Sequence, residues 1–170
     1  SFEGAMSAGF IKRNIQRNIY KNVDAFIYIS KYVKAEKENV VPQLKKSETV
    51  VIYNGTNKLF VDENLDKNAK NNFSLLSVSS LISIKNIAIL IDMMQLLSVD
   101  KQQNIHLFIA GDGIQKSELE EKVKSKKLEK FVHFLGRQKS IGNLLETADV
   151  LVHPCSIEGF GLSVVEAMMA

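Results

Sequence analysis

The chain has 170 residues, of which 45% are hydrophobic, and a formal net charge of +3. That is enough apolar chain to bury the core of one domain and part of another, and the charge is too small and dispersed for a dedicated nucleic-acid surface. A single cysteine, Cys155, excludes an internal disulfide and any zinc cluster and fits a reducing cytoplasm, and no apolar run approaches the roughly 20 residues of a membrane-spanning helix.

The opening "SFEGAMSAGFIKRN" lacks the apolar h-region of a signal peptide. Ser1 is not an initiator methionine, and Ala170 stops inside an apolar helix without a cap, so the sequence reads as an internal piece of a longer protein. Ile11, Ile15, Ile19 and Val23 recur every four residues and predict a helix over 10–23, with Lys12, Arg13, Arg17 and Lys21 on its other faces. "AFIYIS" (25–30) reads as a short buried strand and "KYVKAEKEN" (31–39) as a helix that Pro42 ends. "TVVIYN" (49–54) reads as a strand closed by an Asn54-Gly55 turn. The polar stretch from there to Lys70 marks a domain edge, dividing the chain into 1–53 and 54–170.

Beyond Asn72 the rhythm is regular. Strands are expected at 73–79, 105–111, 131–136 and 149–154. Between and after them lie a mostly buried helix (84–98), an amphipathic, solvated lysine-rich helix (115–128), a short helix (141–148) and a helix from Leu162 onward. Strand and helix in strict alternation, with short apolar strands, predict an α/β fold: a Rossmann-like parallel sheet with helices on both faces. Ligands in such sheets bind beyond the carboxyl ends of the strands. Three loops lie there: 79–85, 111–113 and 155–161.

The last of these, in "HPCSIEGFGLSVVEAMMA", sets Glu158 and Glu166 seven residues apart around a glycine-bracketed turn. Gly159 and Gly161 flank Phe160 and let the backbone turn sharply and approach a ligand. The helix starting near Leu162 then offers free N–H groups to an anion such as a phosphate. Ser163 and Glu166 share a face of that helix, so Glu166 is placed to accept hydrogen bonds from ribose hydroxyls; a salt bridge to a neighbouring element is the alternative. Glu158, ahead of the helix, reaches the far side of the phosphate, where a sugar would sit, or is a solvated loop acid. Lys85, at a helix start after the first strand of this domain, can neutralise phosphate charge or simply face solvent. "AGDG" supplies a tight turn through Gly111 and Gly113. His106, His133 and His153 fall within expected strands without ligand-spaced partners and read as core or edge residues, and Cys155 as a small buried hydrophobe.

"ADVLVHPCSIEGFGLSVVEAMMA" resembles the E-x7-E region of retaining glycosyltransferases of family four, which have the GT-B fold of two facing Rossmann-like domains. "VIYNG", "LFIAGDG" and "VHFLG" occur in the family's order and approximate spacing. The resemblance covers nearly the whole chain and is most specific from Ala148 to Ala170. It implies transfer of a sugar from a nucleotide-sugar to an unknown glycan or lipid-linked acceptor, with retention of anomeric configuration and without a metal or other cofactor. It implies that Glu158 lies against the donor sugar and Glu166 binds the ribose. Backbone amides around Phe160, Gly161 and Leu162 would hold sugar and diphosphate, Lys85 the diphosphate, and Arg137 and Gln138 would lie near the base.

One position departs from the family pattern. Gly-Arg-Leu commonly follows the first strand, the arginine being a second diphosphate cation; here the residues are Ser79-Ser80-Leu81. The resemblance further implies that 1–53 ends an acceptor-side domain, through which any peripheral contact with the inner face of the membrane would run. It makes 54–170 an incomplete donor-binding domain, so that this piece alone would not catalyse transfer. Two rivals share the features: a non-catalytic nucleotide-sugar-binding module, and a sugar phosphorylase or synthase of the same fold.

Overall fold

The computed structural model describes residues 23–57, 59–62, 72–97 and 104–170, which separate into two compact units, one ending at Gly55 and the other starting at Thr56. The helix expected over 10–23 lies outside the described residues except for Val23.

In the first unit, β1 (Ala25–Tyr28) and β2 (Glu48–Val51) pair in parallel, from Ala25 opposite Glu48 to Tyr28 opposite Val51. A parallel pair needs a crossover, supplied by α1 (Lys31–Val40) and a 3-10 turn (Pro42–Lys46). Ser30 caps α1, its Oγ accepting from the Val33 N–H at 3.1 Å. The helix ends where Val41, next to Pro42, takes an extended φ of −131°. Tyr28, Val41 and Leu44 are buried. The expected turn at Asn54-Gly55 is absent: residues 52–57 run without regular structure.

The second unit is a four-stranded sheet of β3 (Phe73–Val78), β4 (Ile105–Ala110), β5 (Val132–Gly136) and β6 (Val150–Leu151) in the order β5-β4-β3-β6, every neighbouring pair parallel. Successive side chains on a strand face opposite ways, and both faces of β3 are covered. Leu75 packs with Leu90, Ile91 and Met94 of α2 (Ala88–Leu97) and Leu119 and Val123 of α3 (Lys116–Ser125). Leu76, one residue on, packs with Leu145 of α4 (Gly142–Thr147) and Ala167 of α5 (Leu162–Met169). Each fully buried leucine contributes roughly 1.5–3 kcal/mol over its exposed state, so this two-sided core holds the sheet. Lys122 of α3 and Lys126, which caps its end, are not merely solvated: Lys122 bonds the Asp92 carboxylate at 2.7 Å and Lys126 reaches it at 3.2 Å, tying α3 to α2.

Two elements differ from expectation. The helix expected over 84–98 starts only at Ala88, because residues 83–85 form a 3-10 turn closed by Asn86 in the left-handed region (φ 52°). Asparagine is among the few side chains that tolerate that conformation. The strand expected over 149–154 is two residues long. Asp149 spends its carboxylate on the Ser74 N–H (2.7 Å) and Oγ (3.0 Å), and the Val152 N–H makes the last rung to the Leu76 carbonyl at 2.8 Å. Pro154 then brings no N–H, and the chain leaves the sheet.

Chain direction across the sheet reverses at β3. From β3 the chain passes to β4 and β5 on one side, and then crosses back to place β6 on the other. The carboxyl ends of β3 and β6 therefore flank a topological switch point, where open parallel sheets hold their ligands. Among the described residues no helix is long and apolar enough to cross a membrane.

Candidate active site at the switch point

The loop after β3 carries Lys85 and the loop after β6 carries Glu158, and the two meet: Lys85 Nζ lies 2.5 Å from Glu158 Oε2. Their approach is fixed by backbone. The Ile84 carbonyl accepts from the Ser156 N–H (3.2 Å) and Oγ (3.1 Å) and lies 3.4 Å from Cys155 Sγ, so the two loops are stitched one residue away from the lysine. Glu158 folds back so that Oε1 accepts from the Gly159 N–H at 3.0 Å. On its other side His153 Nε2 lies 3.2 Å from Oε2, and Ser163 Oγ, in the first turn of α5, lies 3.5 Å from His153 Nδ1.

The lysine hydrogen bond holds the Glu158 carboxyl below the usual carboxylate range, against its partial burial and with help from the Gly159 N–H. For Lys85, burial opposes the charge, but the bond to Glu158 and the neighbouring Cys155 outweigh it and raise its pKa. The signs set a pH window. A depressed carboxyl contributes stability that is present above its unfolded pKa and lost as pH falls through the folded one. A raised lysine contributes stability present below its unfolded pKa and lost as pH rises through the folded one. Urea unfolding of wild-type and Glu158→Gln protein should therefore differ by a constant amount around neutrality and converge in acid, below about pH 4. A difference that ignores acid pH would show that the pair contributes nothing.

Gly161 adopts φ 81° and starts α5 with no side-chain cap, leaving the amide end of the helix to whatever enters the switch point. Phe160 is half-buried beside it and Leu162 exposed. Glu166, one turn into α5, is half-buried and has neither an ion pair nor a side-chain hydrogen bond among the described residues, so the salt-bridge alternative is not realised there.

A second group of expected residues lies across the ends of β3, β4 and β5. A cleft of about 410 Å³ is lined by Ser80, Gly111, Arg137 and Gln138, together with Ser79 and Asp112. Gly111 is there for space: at φ 147°, a Cβ would fall 1.8 Å from the Ser79 carbonyl oxygen. Its N–H donates to the Gly136 carbonyl (2.8 Å), and Ser79 donates to that of Ala110 (3.0 Å), so three loop stems are bound side by side. Gln138 Nε2 donates to the Leu135 carbonyl at 2.7 Å, while Arg137 is exposed. Gly113, expected at the ligand, instead packs on the Leu81 backbone and does not line the cleft.

Two further expectations are corrected. His153 is beyond the strand and contacts Glu158, because β6 stops at Leu151. Cys155 is half-exposed within the same loop rather than a buried hydrophobe, its Sγ 3.0 Å from the Ile157 carbonyl oxygen. A hint was present in the sequence: His153, Cys155 and Glu158 all follow the apolar run within seven residues of Leu151, and a strand cut short turns such residues toward one point. His106 and His133 do lie in β4 and β5, where their rings stack and Nδ1 and Nε2 approach to 2.9 Å.

The family described as "Glycosyl transferases group 1" matches residues 57–170, essentially the whole second unit. The chain belongs to the group 1 glycosyl transferases. This group 1 chain is 30% identical over 134 residues to the O-antigen biosynthesis glycosyltransferase WclY of Escherichia coli, covering 75% of the chain and 36% of WclY. It is 28% identical over 178 residues to the poly(ribitol-phosphate) alpha-N-acetylglucosaminyltransferase of Staphylococcus aureus, covering 99% of the chain and 36% of that protein. The chain thus spans little more than a third of the length of these curated relatives. Among solved structures, Anabaena HepE in complex with UDP and glucose is similar with a TM-score of 0.78 at 24% identity, over 92% of this chain and 45% of that one. At that identity the likeness is one of fold, and the fold is that of the GT-B glycosyltransferases.

Proposed function

We propose that the parent protein is a retaining glycosyltransferase of family four that moves a sugar from a nucleotide-sugar to a glycan or lipid-linked acceptor at the cytoplasmic face of the membrane. Residues 54–170 belong to its donor-binding domain and 1–53 to the end of its acceptor-side domain. The observation that carries this reading is the Lys85–Glu158 pair at the switch point, set beside the uncapped start of α5. A diphosphate placed there meets a cation and a helix N-terminus, both oriented before reaction, which stabilise the negative charge that grows as the sugar leaves. The scheme calls on these groups rather than on a metal. The sugar lies on the Glu158 side. Glu166 accepts from the ribose, and the base extends along the cleft towards Arg137 and Gln138. Glu158 is not assigned as a covalent nucleophile. The printed names of the relatives support the substrate class: one transfers N-acetylglucosamine, one serves O-antigen biosynthesis, and HepE holds UDP and glucose.

Ser80, in the place of the family's arginine, favours one rival, a module that binds the nucleotide-sugar without transferring it. Diphosphate release by the full-length parent from UDP-, GDP- and ADP-sugars, over a panel of acceptors, separates the two; binding without turnover would leave the module. Glu166→Ala tests the site itself. It should weaken nucleotide binding by about 1.5–3 kcal/mol, the range for hydrogen bonds to a charged group, and leave the melting temperature nearly unchanged, since no ion pair is broken. A large stability loss with unchanged affinity would refute the ribose role.

A further inference from the structure

The loop after β6 gathers three chemically different donors that the transfer scheme does not need together. Cys155 offers a thiol sulfur, His153 an imidazole nitrogen and Glu158 a carboxylate oxygen, and one such atom from each lies within 4.8 Å of the others. We propose that these three side chains form a site for one thiophilic divalent cation of the zinc class, taken up in exchange for the ammonium of Lys85.

Geometry supports the exchange. Tetrahedral zinc, with bonds of about 2.0–2.3 Å, holds its donors roughly 3.3–3.7 Å apart, so the cluster must contract by about 1 Å. His153 and Glu158 are already at 3.2 Å. The contraction falls on residues 152–161, which carry no regular secondary structure, so no helix or strand has to move. A set of one sulfur, one nitrogen and one oxygen suits zinc, cobalt or cadmium and not magnesium or calcium, which take oxygen ligands. One cysteine rules out a cluster of several thiolates, but not a site in which one thiolate has harder partners.

The imidazole is also supported from behind. Without an ion, Nε2 is the ring nitrogen that donates to the Glu158 carboxylate at 3.2 Å. An arriving ion would leave the ring proton on Nδ1, where Ser163 Oγ, 3.5 Å away, can accept it, and free the Nε2 lone pair for the metal. The cluster, moreover, already holds a cation: Lys85 Nζ is 2.5 Å from Glu158 Oε2. A divalent ion would take that place with a thiolate added to the ligand set, releasing the thiol proton to solvent and turning the ammonium away. The site shares Lys85 and Glu158 with the proposed transfer, but metal binding does not depend on that reading. Only its consequence rests on it: competition between the ion and a nucleotide-sugar whose diphosphate needs Lys85 and whose sugar lies against Glu158.

The test reads the metal directly and uses no nucleotide. Full-length parent protein is titrated with cobalt(II), and the thiolate-to-cobalt absorption is taken as the difference between wild-type and Cys155→Ser protein. We expect a band that saturates at one equivalent. His153→Ala and Glu158→Gln should each raise the midpoint about tenfold or more, a loss of about 1.4 kcal/mol. Lys85→Met, which removes the resident cation, should lower it by a similar factor, and circular dichroism confirms that each variant is folded. Absence of the band at millimolar cobalt would overturn the site. So would a midpoint that neither His153→Ala nor Glu158→Gln moves, since the thiol would then bind alone. An unchanged midpoint in Lys85→Met would overturn the exchange.

Discussion

Lys85→Ala should weaken the binding of a nucleoside diphosphate by about 10–150-fold, or roughly 1.5–3 kcal/mol, and leave the binding of the bare nucleoside unchanged. Two features place the effect near the top of that range. Ser80 stands where the family commonly has an arginine, so Lys85 faces the diphosphate with one fewer cation beside it. Removing the ammonium also strips Glu158 of its partner at 2.5 Å and leaves a carboxylate turned towards the phosphates. The double variant Lys85→Ala, Glu158→Gln should accordingly bind diphosphate better than Lys85→Ala alone. Ser80→Arg in the wild-type background should tighten diphosphate binding by about 1–2 kcal/mol, because a guanidinium can pair bidentately with phosphate oxygens. Calorimetry of the three variants and the wild type with the diphosphate and the bare nucleoside reads these effects. If both Lys85→Ala and Ser80→Arg leave diphosphate affinity unchanged, the loop after β3 is not at the phosphates.

Gly111→Ala should destabilise the second unit by about 2–4 kcal/mol, combining a strained backbone conformation with a clash that the core cannot absorb. The contact is with backbone: a Cβ 1.8 Å from the Ser79 oxygen cannot be relieved by turning a side chain. Relief means parting β3 from β4 where the Ser79 N–H donates to the Ala110 carbonyl, or pulling Gly111 off the Gly136 carbonyl at the end of β5. The melting temperature should fall by roughly 5–15 °C. Because the same backbone lines the cleft, nucleotide affinity should fall in protein that remains folded. A variant as stable as wild type would mean that the stems of these loops are looser than their hydrogen bonds indicate.

The parallel sheet was legible because both signals it rests on are local. Runs such as "FSLLSVS" and "IHLFIAG" are mostly apolar or small and hold no acid, lysine or arginine, as suits strands covered on both faces, and each is followed by a helical period. The errors came where distant partners decide the local structure. The "DVLVHP" run looks like the others, yet it pairs over two residues only, because Asp149 is drawn to Ser74, 75 positions earlier in the chain. Asn86 interrupts an apolar run that otherwise reads as one helix. Within the site, Glu158, Glu166, Lys85 and the glycine turn stood out by type and spacing. That His153 and Cys155 converge on Glu158 did not, since it depends on where β6 stops and on the Ile84 carbonyl that pins the loop from across the switch point.

The shortness of β6 has a consequence for how this unit opens. Among the described residues β6 is held to β3 by the pairing of Val150 and Leu151 with Leu75 and Leu76 and by the Asp149–Ser74 and Val152–Leu76 hydrogen bonds, whereas β3 and β4 are joined along six residue pairs. Among these strands the least costly excursion is therefore a release of that edge with the loop that follows, the core beneath remaining closed. Amide hydrogens there would exchange with solvent long before those of β4. A ligand that bridges Lys85 and the start of α5 would staple the loose edge to the rest of the sheet. Its binding energy would then appear first as slowed exchange along one margin of the protein, and only later as a gain in global stability.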